Sequence, residues 1–344
     1  MSPNSEDDSA NDWRGHRERR ECRVGVKHAN RDDTSPLLLT SFETERVGAQ
    51  EHLVGVVDVI QRTALMDRTS GRPEIRVGLI HGPVLLSHPD LASRNIQEIP
   101  GKIGATRANA PSTACRHSTF LACILSGRRG SYAPATCPDC TLLLRPIFQE
   151  AGRALGDVPS ATPRELAEAI VDCVNAGARV INLSAALTQP SSKDERELEE
   201  ALDHAAARGA IAVAAAGNQG TLGGSAITRH PSVIPIAACD GRGRPLGESN
   251  LGSFIGRRGL SAPGENITSL ETDGKPQTIG GTSAAAPFLT GSIALVWSEF
   301  PRAFSNQIRL AVTQSALGLW RAIAPPLLNA SPAYQAMRMN QPGG

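Results

Sequence analysis

The sequence predicts an α/β protein, a parallel sheet with helices on both faces. Three observations carry that prediction. Short apolar runs without alternation recur along the chain, as strands buried on both faces require. Amphipathic stretches with helix caps lie between them, and this βαβα order produces parallel pairing. One further stretch, from Phe288 to Trp297, is apolar nearly all round at helical period and so belongs in a core.

The first strand covers 75–80 and ends at His81-Gly82, a Gly turn. A helix opens with His117-Ser118-Thr119-Phe120-Leu121-Ala122-Cys123. Further strands follow over 141–147, 179–183, 210–216 and 233–238. Ahead of the strand at 179, Thr162-Pro163-Arg164-Glu165 supplies an N-cap, a Pro at N1 and a Glu at N3. That helix stops near Ala176, with Gly177 in the C′ position. The stretch from Asp194 to Ala207 is amphipathic and closes at Gly209. A last helix is expected from Asn306 to about Ser315.

The 344 residues carry a net charge of +1 and 40% hydrophobic residues, a composition normal for a globular enzyme. Balanced charge gives no reason to expect nucleic acid or an anionic membrane as partner. No apolar run approaches 18 residues, so no membrane-spanning helix is expected. The acidic start, Met1 to Asp8, lacks the basic and apolar regions of a secretory signal. Seven cysteines, with Cys123, Cys173 and Cys239 inside core elements, fit a reduced, cytoplasmic setting. Cys137-Pro138-Asp139-Cys140 is a CxxC without a second ligand pair, so no zinc site is expected. Cys115 is spaced to pair with either of its thiols, although structural roles suit all three better. No cofactor is expected.

The chemistry concentrates at Gly281-Thr282-Ser283-Ala284-Ala285-Ala286-Pro287. A serine at the first turn of a buried helix sits among unpaired, partly positive backbone N–H groups. Such a hydroxyl can attack a carbonyl while those groups stabilise the oxyanion. A bare Ser-Ala-Ala-Ala-Pro would read as an ordinary helix cap. Three other blocks change that reading: the strand ending at His81, the helix opening at His117, and Ala214-Ala215-Ala216-Gly217-Asn218. His81, Ser184 and Asn218 all fall at or just past a strand's carboxyl end, where open parallel sheets gather ligands.

In this order the blocks resemble the subtilisin-like serine peptidases, whose motifs read roughly D-[ST]-G, H-G-T-H, A-A-G-N and G-T-S-x-A-x-P. The resemblance runs from about residue 71 to about 317 and implies a three-layer subtilisin-like fold. It also implies Ser283 as nucleophile, His117 as general base and Asn218 as oxyanion donor. Val180-Ile181-Asn182-Leu183-Ser184 resembles the family's substrate-binding strand, so Ser184, Ala185 and Ala186 are expected to line the peptide-binding cleft. The matching segments hold no compact Asp/Asn-rich loop to mark the family's calcium sites, and calcium binding is left open. His81-Gly82-Pro83-Val84, Ser87-His88-Pro89 and Arg145-Pro146-Ile147-Phe148 look like the proteases of cyanobactin maturation, intracellular enzymes that trim ribosomal peptide precursors.

Two departures bear on activity. His81 stands at the aspartate position, and Phe120 replaces the second histidine of H-G-T-H. A neutral His81 can accept the hydrogen bond of the general base but brings no negative charge. Serine proteases lose about 10⁴ in turnover when the triad aspartate becomes neutral, yet keep ~10³–10⁴ over water. Asp90 is a weak candidate to replace the carboxylate, and a Ser-His-His arrangement like that of herpesvirus-type proteases is another. The sequence therefore predicts a serine endopeptidase with a degenerate triad acting on a peptide or protein. The alternative is a dead pseudopeptidase that binds a peptide or partner in the retained groove.

By domain, residues 1–35 read as a polar, disordered tail and 36–70 as a lead-in. Residues 71–320 form the peptidase domain and 321–344 a C-terminal tail. The short stretch ahead of Ile75 suggests an enzyme without a folding pro-domain. The oligomeric state is left open.

Overall fold

The computed structural model describes residues 37–39, 42–43, 60, 63–92, 94–101, 112–148, 160–187, 195–316 and 323–340. The tail expected over 1–35 and the helix start expected at Asp194 lie outside them.

Two short strands, β1 (Leu37–Leu39) and β2 (Phe42–Glu43), precede helix α1 (Thr63–Arg68). Strands β3 (Arg76–His81) and β4 (Ile96–Glu98) come before helix α2 (Thr113–Ser126), β5 (Thr141–Pro146) and β6 (Ser160–Ala161). Helix α3 (Pro163–Asn175) leads to β7 (Val180–Leu183) and β8 (Ala185–Leu187), and α4 (Glu195–Ala207) leads to β9 (Ile211–Ala215). Helix α5 (Ala226–Arg229) precedes β10 (Val233–Cys239), and α6 (Ser253–Arg258) precedes β11 (Leu260–Pro263), β12 (Ile267–Leu270) and β13 (Pro276–Gly280). Helices α7 (Thr282–Glu299), α8 (Ser305–Gln314) and α9 (Ala330–Met339) follow.

Seven strands form one parallel sheet in the order β11-β10-β9-β7-β3-β5-β4. Side chains alternate across its two faces because a strand has period two. Leu142 and Leu144 of β5 enter one core with Val77, Leu79, Phe120 and Phe288. Leu143 enters the other, with Ile80, Ile181, Leu166 and Leu202. Helices α2 and α7 thus cover one face while α3 and α4 cover the other. All five strands expected from apolar runs belong to this sheet, each within a residue or so of its expected ends. The edge strands β4 and β11 were not expected, being too short and too mixed in composition to stand out.

Helix α3 has the expected start. Thr162 Oγ1 accepts from the Glu165 N–H at 3.2 Å, and Glu165 Oε2 accepts from the Thr162 N–H at 2.8 Å. Its C-cap is Ala176, and Gly177 takes φ +84°.

Two smaller antiparallel sheets flank the main one, in the orders β6-β1-β8 and β12-β13-β2. The stretch read as a lead-in therefore supplies two strands and a helix. The stretch read as a C-terminal tail carries helix α9, whose Ala330, Ala333 and Met337 are buried. Ahead of it, the Leu328 N–H bonds the Ser261 carbonyl at 2.8 Å and ties the segment to β11. Pro332 disguised this helix in the sequence, but it lies in the first turn, where a missing N–H costs nothing.

Thr162→Ala removes one half of the capping box, so an equilibrium denaturation experiment is expected to show about 1 kcal/mol lost with an unchanged m-value.

Candidate active site

Helix α7 is buried from Thr282 through Ser298. It begins at Gly281, whose φ of +106° favours glycine. A Cβ there would also run into the Asn218 amide. Asn218 closes the β9 turn and is itself held: its Oδ1 accepts from the Thr282 N–H and from the Thr282 hydroxyl, each at 2.9 Å. Both acceptor directions of the amide oxygen are thereby taken, and this fixes which end of the side chain is nitrogen. The Asn218 NH₂ is left on the side of Gly281, at the start of the helix that carries Ser283.

Pro287 stands four residues after Ser283. It has no N–H, so the Ser283 carbonyl lacks its helical partner. The Ser184 hydroxyl takes that place and donates to the Ser283 carbonyl at 3.0 Å. Ser184 in turn accepts from the Asn182 amide at 2.7 Å, and Asn182 Oδ1 accepts from the Thr290 hydroxyl at 2.9 Å. A buried polar chain thus fastens the end of β7 to the first three turns of α7. A mid-helix proline costs about 3 kcal/mol. Burying Phe288, Leu289 and Ile293, at ~1.5–3 kcal/mol each, outweighs it.

His81, at the carboxyl end of β3, and His117, in the second turn of α2, are both buried. Their rings lie 4.9 Å apart between centroids, tilted by 36°. Phe148 packs edge-on against His81 at 5.1 Å, and Phe120 stacks on His117 at 6.3 Å. Burial pulls the His117 pKa down to about 4. Burial, with the nearby His117 as a second cause, holds His81 well below the ordinary value. Neither shift has a carboxylate among its causes, so both rings are neutral at pH 7.

The hydrogen bond expected from His117 to His81 is not formed. The His81 Nδ1 bonds Ser118 Oγ at 2.7 Å instead. That oxygen has two further partners: it accepts from the Gly82 N–H at 2.8 Å and donates to the Ala114 carbonyl at 2.6 Å. Its single hydrogen goes to Ala114, so toward His81 it acts as acceptor. His81 is therefore assigned as the Nδ1–H tautomer, with a bare lone pair on Nε2. Nε2 of His81 and Nε2 of His117 are both buried without a hydrogen-bond partner among the described residues, an arrangement that costs stability unless another group uses it.

Asp90 does not serve this corner. Its N–H bonds His88 Nδ1 at 3.1 Å, and its charge acts on His88. The six described cysteines are free thiols, so Cys115 pairs with neither Cys137 nor Cys140. Cys137 and Cys140 are buried in the larger core. Among the described residues no three His, Cys, Asp or Glu converge on a metal position.

The structure thus brings Ser184, Asn218 and Ser283 together at the start of α7 and sets His81 against His117. Ala185 and Ala186 lie in β8, directly after Ser184. Thr282, Asn182, Thr290 and Ser118 also hold the site and were not singled out from the sequence. For Ser118 a signal existed, since it occupies the second position of the H-G-T-H block.

A profile of the subtilase family, peptidase S8, matches residues 73–338. A thermostable alkaline protease of Halalkalibacterium halodurans is 35% identical over 157 residues, which is 46% of this chain and 42% of that protein. The chain thus spans about two fifths of that relative's length. Among solved structures, the protease domain of PatA is 31% identical and superposes with a TM-score of 0.73 over 79% of this chain and 98% of its own. The prenylagaramide maturation protease PagA is 25% identical, with a TM-score of 0.68 over 79% and 97%. Sheet order, the buried helix at Gly281 and the profile match agree: the chain belongs to the subtilase family.

Proposed function

We propose that the protein is a serine endopeptidase that cleaves an extended peptide through an acyl-enzyme on Ser283. The observations that support this reading are the two buried imidazole nitrogens without a hydrogen-bond partner, Nε2 of His81 and Nε2 of His117, together with the hydrogen-bonded frame that holds Ser184, Asn218 and Ser283 at the start of α7. His117 Nε2 accepts the Ser283 proton as the hydroxyl attacks. The charge that develops on the carbonyl oxygen is met by the Asn218 NH₂ and the Ser283 N–H at the positive end of α7. Losing one such donor costs roughly 2.7–4 kcal/mol in turnover. His117 then protonates the leaving amine, and water attacks the ester with His117 again as base.

His81 acts as a neutral acceptor. Its Nε2 lone pair, exposed by the Ser118 bond, receives Nδ1–H of His117 as the imidazolium forms. Orientation is supplied and charge stabilisation is not, so turnover is slow for the family. Ser118 is a positioning residue, since it works through His81.

A peptide precursor is the substrate class that the patellamide and prenylagaramide maturation proteases support. Free thiols at all six described cysteines support an intracellular setting. The missing carboxylate favours a second reading, a pseudopeptidase that holds peptides without cutting them.

A fluorophosphonate probe separates the two readings. The expected result is covalent label on Ser283, lost in Ser283→Ala. His81→Asp is expected to raise the labelling rate strongly, up to ~10⁴-fold. Absence of label on both the native protein and His81→Asp establishes the pseudopeptidase.

Ser118→Ala removes a bond of ~0.5–1.5 kcal/mol that selects the tautomer, so the labelling rate is expected to fall by up to about tenfold. Ser118→Thr is expected to restore it. A merely structural Ser118 would change the melting temperature and leave the rate alone.

The labelling rate is expected to keep its plateau down to an acid limb near pH 4, where His117 protonates, rather than near 6.5. Folding stability is expected to respond with the matching sign. The His117 pKa is depressed in the folded state, so above pH 6.5 neither state gains a proton from it. As pH falls from 6.5 toward 4 the unfolded chain takes up the proton first, and about 3 kcal/mol is lost. His117→Gln is expected to flatten that slope in denaturation experiments.

A further inference from the structure

Cys137-Pro138-Asp139-Cys140 forms a hydrogen-bonded turn, in which the Cys140 N–H donates to the Cys137 carbonyl at 3.0 Å. Such a turn brings its first and fourth Cα atoms within about 7 Å, and the Cα atoms of disulfide-linked cysteines lie ~4.4–6.8 Å apart. The two thiols also meet directly, since Cys137 and Cys140 are hydrogen-bonded through their side chains. The turn therefore holds the pair ready to bond.

Neighbouring segments fix the turn. At the end of α2, the carbonyls of Ile124 and Leu125 accept from the N–H groups of Thr136 and Cys137, each at 2.8 Å. The Ser70 carbonyl accepts from the Asp139 N–H at 2.9 Å. Gly71, with φ +100°, lies so close that a Cβ there would fall 2.5 Å from Cys140 Sγ. Both thiols are buried, but Asp139 between them is exposed. A molecule the size of water needs only a local opening to reach them.

The surroundings favour a thiolate here. Cys140 Sγ accepts from the Cys137 thiol and from the Arg72 N–H, and these bonds hold its pKa below the ordinary value. Burial and the exposed Asp139 oppose them without reversing the shift. The Thr136 hydroxyl donates to Cys137 Sγ at 3.7 Å, and the Arg129 guanidinium, which bonds the Thr136 carbonyl at 3.4 Å, lies within the field of Cys137. Ser298 Oγ stands 3.8 Å from Cys140 Sγ and gives its own hydrogen to the Ala294 carbonyl. Burial pushes Cys123 and Cys173 far the other way, and Cys239 up to about 12. The thiolate is the form that oxidants attack.

We propose that Cys137 and Cys140 are a redox modification site, at which a peroxide closes a reversible disulfide. The Cys140 thiolate attacks one oxygen of hydrogen peroxide. An S–O bond forms, the O–O bond breaks, and the departing hydroxide takes up the proton that the thiol released. The Cys137 sulfur then displaces the sulfenic hydroxyl. An S–S bond forms, the S–O bond breaks, and the Cys137 proton leaves with the hydroxide as a second water. The two sulfurs give up two electrons, and the peroxide is reduced to two waters. A dithiol reductant reverses the change by thiol–disulfide exchange. Neither Ser283 nor His117 takes part, so the site stands apart from the endopeptidase reading.

The native protein is treated with hydrogen peroxide, then unfolded in an alkylating reagent and digested, and mass spectrometry follows each cysteine with time. The expected product is a peptide in which Cys137 and Cys140 have escaped alkylation and lost two hydrogens. It is expected to form at least about tenfold faster than any oxidation of Cys123 or Cys173. Dithiothreitol added before alkylation is expected to return both thiols. A pair that oxidises no faster than Cys123 and Cys173 overturns the proposal, as does direct passage to sulfinic acid or a disulfide from either cysteine to Cys115. These rates are compared within one native molecule and need no variant to fold. In Cys137→Ser the resolving sulfur is gone, so dimedone is expected to trap a sulfenic acid on Cys140. Absence of that adduct from a Cys137→Ser protein with unchanged melting temperature overturns Cys140 as the attacking sulfur.

Discussion

The hydroxyl of Ser118 is the joint on which the catalytic corner depends. One oxygen meets a helix carbonyl, a turn N–H and an imidazole, and its single hydrogen can satisfy only the carbonyl. The imidazole must then donate, and its other nitrogen is left as a lone pair. A carboxylate presents such a lone pair automatically, whereas a histidine presents it only in one tautomer. In the proposed site, the histidine at 81 and the hydroxyl at 118 are thus two parts of one arrangement. Phe148 and Phe120 keep it dry, and burial keeps both rings neutral. In the proposed reaction, the corner orients His117 as the general base without holding a charge beside it.

The nucleophile's side of the site is rigid for a different reason. Helix α7 has a proline where its first turns need an N–H, and the freed carbonyl is that of Ser283 itself. The Thr290–Asn182–Ser184 chain fills the vacancy and in doing so locks the end of β7 to the helix. On the opposite side, Thr282 saturates the Asn218 carbonyl, and the amide nitrogen lies against Gly281. In the proposed reaction, donors and nucleophile are therefore positioned before any peptide arrives. This is the condition under which such groups stabilise a transition state without reorganising.

Much of this was legible in the sequence, and the rest was hidden for physical reasons. The five central strands announced themselves because burial on both faces demands continuous apolar runs. The capping box at Thr162 and Glu165 is a local signal with a local structure, and Ser283, His117 and Asn218 stood out by motif. Strands β1, β2, β6 and β8 are two or three residues long and exist by pairing with distant segments, which periodicity cannot register. Helix α9 was masked by Pro332, although Ala330, Ala333 and Met337 have helical spacing. Ser118 was visible as a departure from a family motif. Its role required knowing that Ala114, Gly82 and His81 converge on one oxygen.

The central claim, that a neutral His81 stands in as an oriented acceptor, is open to direct measurement. Nitrogen-15 NMR of histidine-labelled protein at pH 7, with His81 assigned through His81→Gln, reports the protonation of each ring nitrogen. The account predicts a protonated Nδ1 and a bare Nε2 on His81. A protonated Nε2 would leave His117 without an acceptor and contradict it, as would a charged ring.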